Sequence, residues 1–304
     1  MIYKNEQTIL EEITYHKGQE ELPLLEYKLL QQIPGILHCF TTRQGGVSQG
    51  IFSSMNLSYT REDEPEDVTE NYRRIAQVFG KGLEDIVTSD QTHTTNVRVV
   101  TREDRGKGII RDRDYTDVDG LITQESGLIL ATFYADCVPL YFVDPIHKAI
   151  GLSHSGWRGT VGRIGAKTIE KMQEVFGSSA EDMYCAIGPS ICQDCYEVSE
   201  DVAEAFIEEF SDKRTIEKHE KIENNVNRNS GILLDHILYD KGNGKYQLDL
   251  WKANERILLE AGIMPEHLAV TNLCTCCNPQ QLFSHRASHG RRGNLGAFLM
   301  LKDC

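Results

Sequence analysis

Short apolar runs punctuate the chain, each bounded by Gly, Pro or Asp: GILHCFTT (35–42), NVRVV (96–100), DGLIT (119–123), LILATFYA (128–135), VPLYFVD (138–144), AIGLSHS (149–155), MYCAIGP (183–189) and GAFLML (296–301). Runs of this length and punctuation predict β-strands. Between them the apolar positions recur at helical spacing. Helices are expected over 66–79, after Pro65 and with acidic residues early; over 161–176, ending at Gly177; over 200–210, with Ser199 as N-cap; and over 248–262, stopping at Gly262. Residues 211–230 read as an exposed helix or insertion, and KGNGK (241–245) as a turn. Three strands follow one another rapidly between Leu121 and His154, and no proline- or glycine/serine-rich linker divides the chain. The expectation is one mixed α/β domain.

Composition narrows the function. The 304 residues are 40% hydrophobic and 26% charged, ordinary for a soluble enzyme with one extended core. No apolar run approaches a membrane span and the N-terminus has no signal-peptide pattern, so a cytoplasmic protein without a membrane partner is expected. Nine cysteines, an odd count, suit free thiols or metal ligands better than a disulfide framework. A net charge of −14 argues against a nucleic-acid partner. Arginines nevertheless recur in glycine-containing stretches: Arg43, Arg158, Arg286, Arg291 and Arg292. They could form surface salt bridges, or bind a small anionic substrate through paired hydrogen bonds.

Candidate chemistry sits at the ends of apolar runs. Cys137 opens one, His154 closes another, and His93 lies in a polar cluster just before NVRVV. Two imidazoles and a thiolate make a three-point site for Zn²⁺ or Cu²⁺ with a fourth position for water or substrate. A lone histidine beside a strand is more often a hydrogen-bonded structural residue. Cys137 and His154 could also act as nucleophile and general base of an amide hydrolase. Cys192 and Cys195 form a C-x-x-C that could be redox-active, half of a metal site or structural. Cys274, Cys276 and Cys277 read as C-x-C and C-C, which offers no second pair to complete a tetrahedral site.

Taken in order, TTRQGGVS…MNL, QTH, DGLIT, ADCVPLYFVDP, HSGWRGT, AIGPSICQDCYEV and CTCCNPQQLFSHR resemble the laccase-domain family of YlmD/YfiH type, once named multicopper polyphenol oxidases. The resemblance implies an α/β domain of CNF/YfiH-like architecture, with mixed β-sheets and flanking helices, over residues 35–304, with 1–34 as an N-terminal extension. It implies a zinc site on His93, Cys137 and His154 and purine nucleoside phosphorylase activity on adenosine, inosine and 5′-methylthioadenosine, with adenosine deaminase activity. Purine nucleosides and phosphate are then the partners. Copper-dependent polyphenol oxidation ranks low, because the ten histidines form no His-x-His pairs. On this reading Asp136 shuttles a proton, Arg43 holds phosphate, and Asn56 places ribose or phosphate oxygens. Arg158 and Arg286 are second choices for the anion, and Trp157 could stack on the purine. The tail departs from the family's pattern, with Ala287 and Ser288 where an Arg-Asp pair is usual, so Arg291 and Arg292 receive no role. A cysteine-type amide hydrolase editing peptidoglycan precursors is the runner-up, and a purine or metal sensor without turnover is the third class. Oligomeric state has no signature in the sequence.

Overall fold

The computed structural model describes residues 1–17, 20–211 and 231–303, so nearly all of the polar segment expected at 211–230 lies outside the described residues. A six-stranded sheet runs in the order β1 (Leu10–Lys17), β2 (Glu20–Tyr27), β3 (Ile36–Thr41), β16 (Leu295–Leu301), β7 (Ile129–Tyr134), β4 (Ile86–Thr88). A second runs β15 (Leu268–Val270), β10 (Tyr184–Ile187), β8 (Val138–Asp144), β9 (Ala149–Ser155), β6 (Gly120–Thr123), β5 (Val97–Val99). A smaller sheet holds β11 (Glu197–Ser199), β14 (Lys245–Leu248), β13 (Leu238–Gly242) and β12 (Ile232–Leu233). KGNGK falls where expected, at the turn between β13 and β14.

The two large sheets pack face to face because their strands are apolar on both sides. Along β7, Leu130 and Tyr134 face the other sheet, while Ile129 and Ala131 face outward onto helix Pro65–Val78. Along β8, Tyr141 and Val143 point into the space between the sheets, and Val138, Leu140 and Phe142 point outward. That outer face is covered by helices Ile164–Phe176, Glu200–Phe210 and Leu250–Glu260, giving four layers, α/β/β/α. Two tyrosines stitch the sheets together through polar tips: Tyr141 Oη donates to the Cys39 carbonyl at 2.9 Å and Tyr134 Oη to the Ser153 carbonyl at 3.1 Å.

Two expectations change. The helix expected over 161–176 is two helices, Trp157–Val161 and Ile164–Phe176. Arg163 breaks it in a left-handed conformation (φ 59°), held there by ion pairs to Glu209 at 2.9 Å and Glu260 at 2.5 Å. Residues 1–34, expected as an extension, are built into the domain: β1 and β2 form a hairpin that continues the first sheet, and Leu25, Tyr27 and Leu30 are fully buried. Glutamates and Lys17 on this outer hairpin hide its apolar alternation, as edge strands commonly require.

Candidate active site and metal centre

Pairing within the second sheet gathers the chemistry at one end. β6 and β9 are antiparallel with Gly120 opposite Ser153, and β8 and β9 are antiparallel with Pro139 opposite His154. The start of β6, the start of β8 and the end of β9 therefore lie side by side, which brings Asp119, Cys137 and His154 together. His93 arrives from the loop before β5, whose start lies next to that of β6. The ligand atoms of His93, Cys137 and His154 all fall within 4.8 Å of one another, and Cys137 Sγ is 4.0 Å from His93 Nε2. Tetrahedral zinc bonds of 2.0–2.3 Å place donors roughly 3.3–3.8 Å apart, so this set fits a divalent ion with small adjustments.

Asp119 organises the set. Its buried carboxylate accepts from His154 Nδ1 at 2.7 Å, leaving Nε2 to face His93 and Cys137, and it accepts the backbone N–H groups of Thr92, His93 and Thr94 at 3.1, 3.2 and 2.9 Å. These bonds hold His93 at φ 66°, a conformation that non-glycine residues seldom adopt. Gly156, at the N-cap of helix Trp157–Val161, is required for space: a Cβ there would sit 2.9 Å from His93 Cδ2 and 3.2 Å from Cys137 Sγ.

Charge follows this geometry. Burial works to raise the Cys137 thiol, but the charges and hydrogen bonds of His154 and His93 outweigh it and hold the thiol down at about 6. Burial likewise works to lower His154, and the Cys137 thiolate and Asp119 carboxylate overcome it, raising the imidazole to about 9. The site is thus built to keep its sulfur deprotonated, the state that ligates metal.

These donors sit in the wall of a cleft of about 650 Å³, large enough for a drug-sized ligand. Its apolar wall includes Tyr59, Ile110 and Phe133, with Ile110 56% exposed. Of its four arginines Arg113 pairs with Asp90, Arg111 donates to the Arg105 and Glu103 carbonyls, and Arg61 and Arg292, like Arg111, form no ion pair among the described residues. Burial, then the positive charge of Arg61, lower Arg292 to about 10, and its Nε is buried without a partner.

Residues 37–302 match the family described as Multi-copper polyphenol oxidoreductase laccase. The chain belongs to that family. Among the relatives of this laccase-family chain is "Purine nucleoside phosphorylase YlmD" of Bacillus subtilis, 36% identical over 87% of this chain and 88% of the relative. "Adenosine deaminase RL5", from an unknown prokaryotic organism, is 31% identical over 88% and 93%. The crystal structure of the Bacillus licheniformis hypothetical protein YfiH superposes with a TM-score of 0.80 at 31% identity, covering 95% of this chain and 99% of that one.

In this laccase-family chain Arg292 is the one further residue singled out from sequence that lines the cleft, and Arg43, Asn56, Asp136, Trp157, Arg158, Arg286 and Arg291 lie outside its lining. Arg43 is committed to the Ser53 and Pro279 carbonyls at 2.9 and 2.8 Å and stacks 4.5 Å over Phe283. Asn56 is fully buried, with Oδ1 accepting from the backbone of Ser58 and Asn294 and Nδ2 donating to Asp63. Asp136 Oδ1 accepts from Thr275 Oγ1 and Oδ2 from the Arg286 backbone, both at 2.7 Å, so its carboxylate braces the turn that carries Cys137. The Arg286 guanidinium donates to the Cys195 and Glu197 carbonyls at 3.1 and 3.0 Å. Trp157 is half-buried against the outer core with the exposed Arg158 stacked on it at 4.3 Å. Asp119 and Arg61 are not among the candidates that the sequence offers. An Asp-Gly opening a strand beside two candidate ligands was the available signal for the first; Arg61, in a run of acidic residues, offered none.

Proposed function

We propose that the chain is a zinc-dependent purine nucleoside phosphorylase acting on adenosine, inosine and 5′-methylthioadenosine, with adenosine deaminase activity. The observation that carries this reading is one cleft holding both a His–Cys–His donor set and the neighbouring arginines Arg61 and Arg292, neither of which has a carboxylate partner among the described residues. A phosphate between Arg61 and Arg292 would relieve their mutual repulsion and satisfy the Arg292 Nε, which is what an anion subsite requires. Tyr59, Ile110 and Phe133 offer apolar faces to a purine ring. His93, Cys137 and His154 would hold the ion, with Asp119 fixing the His154 tautomer. When bound, Zn²⁺ supplies Lewis-acid activation of water or of a substrate oxygen. The arginines hold phosphate against the anomeric carbon of ribose and counter its charge as the purine departs. The names of the relatives support both activities.

The Cys137–His154–Asp119 line would also suit an amide hydrolase. His93 Nε2, 4.0 Å from the same sulfur, favours metal ligation, because a nucleophilic thiol has no use for a second imidazole there. The test is a chromatographic product assay with adenosine or inosine, with and without phosphate. Free base and ribose 1-phosphate should form only with phosphate, while adenosine still yields inosine without it. Absence of every purine product from zinc-loaded protein would refute the reading.

A further inference from the structure

A second group of metal-binding side chains lies outside the cleft and outside the proposed chemistry. Cys192 and Cys195 sit in the turn after β10, and Cys274 and Cys277 in the turn after β15. Neighbouring cysteines in the later segment are spaced C-x-C and C-C. Its outer pair, Cys274 and Cys277, is itself a C-x-x-C, with Cys276 standing aside. The parallel pairing of β10 with β15 brings the two turns together, and the Ser190–Cys274 bridge continues that pairing up to the cysteines.

Four sulfurs converge there, all within 4.8 Å of one another, with Cys195 Sγ 3.5 Å from Cys277 Sγ. A disulfide needs about 2.05 Å, and the thiols are free. A tetrahedral ion with bonds of about 2.3 Å to sulfur sets its ligands roughly 3.8 Å apart, a spacing compatible with sulfurs that all lie within 4.8 Å of one another. The backbone N–H groups of Cys192 and Cys277 both point at Cys274 Sγ, at 3.2 and 3.4 Å. Two N–H donors on one sulfur suit a metal-bound thiolate and are wasted on a neutral thiol, a weak acceptor. Cys192 and Cys274 are buried and Cys195 and Cys277 partly exposed, so the cluster is shielded yet reachable.

We infer that Cys192, Cys195, Cys274 and Cys277 bind a structural Zn²⁺, sharing no ligand with the His93–Cys137–His154 group. Binding transfers the thiol protons to solvent and involves no oxidation. The ion clamps the two turns, and its effect reaches the cleft through Thr275, between two of its ligands, which donates to Asp136 beside Cys137. A Cys₄ set fills all four positions of the ion and leaves no open site for substrate, so its task is architectural.

The experiment is elemental analysis with zinc X-ray absorption on the full chain. Wild type should carry two zinc ions, and the His93→Ala/His154→Ala variant one, whose absorption shows four sulfur neighbours at about 2.3 Å. Cys192→Ser and Cys277→Ser should each lose that ion while retaining the other. Should the cysteine variants fail to fold, the absorption spectrum of the histidine variant decides alone. A metal-free histidine variant, a nitrogen- or oxygen-containing shell, or a native disulfide among the four cysteines would overturn the inference. None of these results depends on the nucleoside reading, which is tested by products.

Discussion

The carboxylate of Asp119 and the imidazole of His154 lie 2.7 Å apart, with the aspartate fully buried and also receiving three consecutive backbone N–H groups from the loop that carries His93. One side chain therefore sets the orientation of one donor and the backbone of another. Asp119→Asn keeps the volume but offers a weaker acceptor in place of the carboxylate. Zinc affinity at the His–Cys–His site, measured by chelator competition, should fall about 10–100-fold. Unchanged affinity would remove Asp119 from the site's architecture.

Gly156→Ala tests the closeness of the ligands without disturbing the backbone, since the glycine has φ −74° and needs no special conformation. The new methyl must displace the His93 ring or the Cys137 sulfur. Turnover should drop about tenfold or more, in line with the cost of small displacements at a reacting centre, while the melting temperature changes little. A fully active variant would show that the ligand cage has slack.

Two arginine variants separate phosphate binding from scaffolding. Arg61→Ala should raise the KM for phosphate at least tenfold, on the order of 1.4 kcal/mol, and leave deamination intact. Arg43→Ala should leave that KM unchanged and lower stability instead, because its guanidinium ties two backbone carbonyls and covers Phe283. Initial rates across a phosphate series, with thermal melts, check both; the reverse pattern would return phosphate to Arg43.

His38 makes stability depend on pH. It is buried, its Nε2 accepts the Tyr27 N–H at 2.7 Å, and burial lowers it from 6.5 to about 3. Between those values the unfolded chain takes up a proton that the folded chain refuses. Stability should therefore fall as pH drops from 6.5 towards 3, by up to about 1.4 kcal/mol per pH unit from this group. His38→Gln, which can still accept the hydrogen bond, should lose that part of the slope in urea titrations at pH 7, 5.5 and 4. Equal slopes in the two proteins would refute the assignment.

Much of this was readable in the sequence because it is local. Eight apolar runs became strands, and Cys137 and His154 stood out as polar atoms at the edges of two of them. They are near neighbours because those strands form one hairpin. Asp119 was hidden because its value depends on β6 pairing with β9, a relation no local spacing announces. The arginines were not separable by sequence for the same reason: a guanidinium's task depends on what surrounds it. Arg43 found carbonyls and Phe283, and Arg61 an open cleft. The cysteine pairs were legible as spacings, and only the β10–β15 pairing shows that they meet.

The hairpin of β8 and β9 also bears on the order in which the chain can take up metal. Cys137 and His154 meet when a short connection closes, an event of roughly 1–10 μs for an isolated hairpin. Cys195 and Cys277 meet only across 82 residues, after the C-terminal strands have docked, and the entropy of closing a loop grows with its length. Refolding in the presence of a zinc indicator should accordingly resolve an early uptake, abolished in His154→Ala, from a late one abolished in Cys277→Ser. A nascent chain would then hold Cys137 and His154 ready for zinc before the proposed four-cysteine site has formed, so zinc scarcity during synthesis would act first on the closing of the fold.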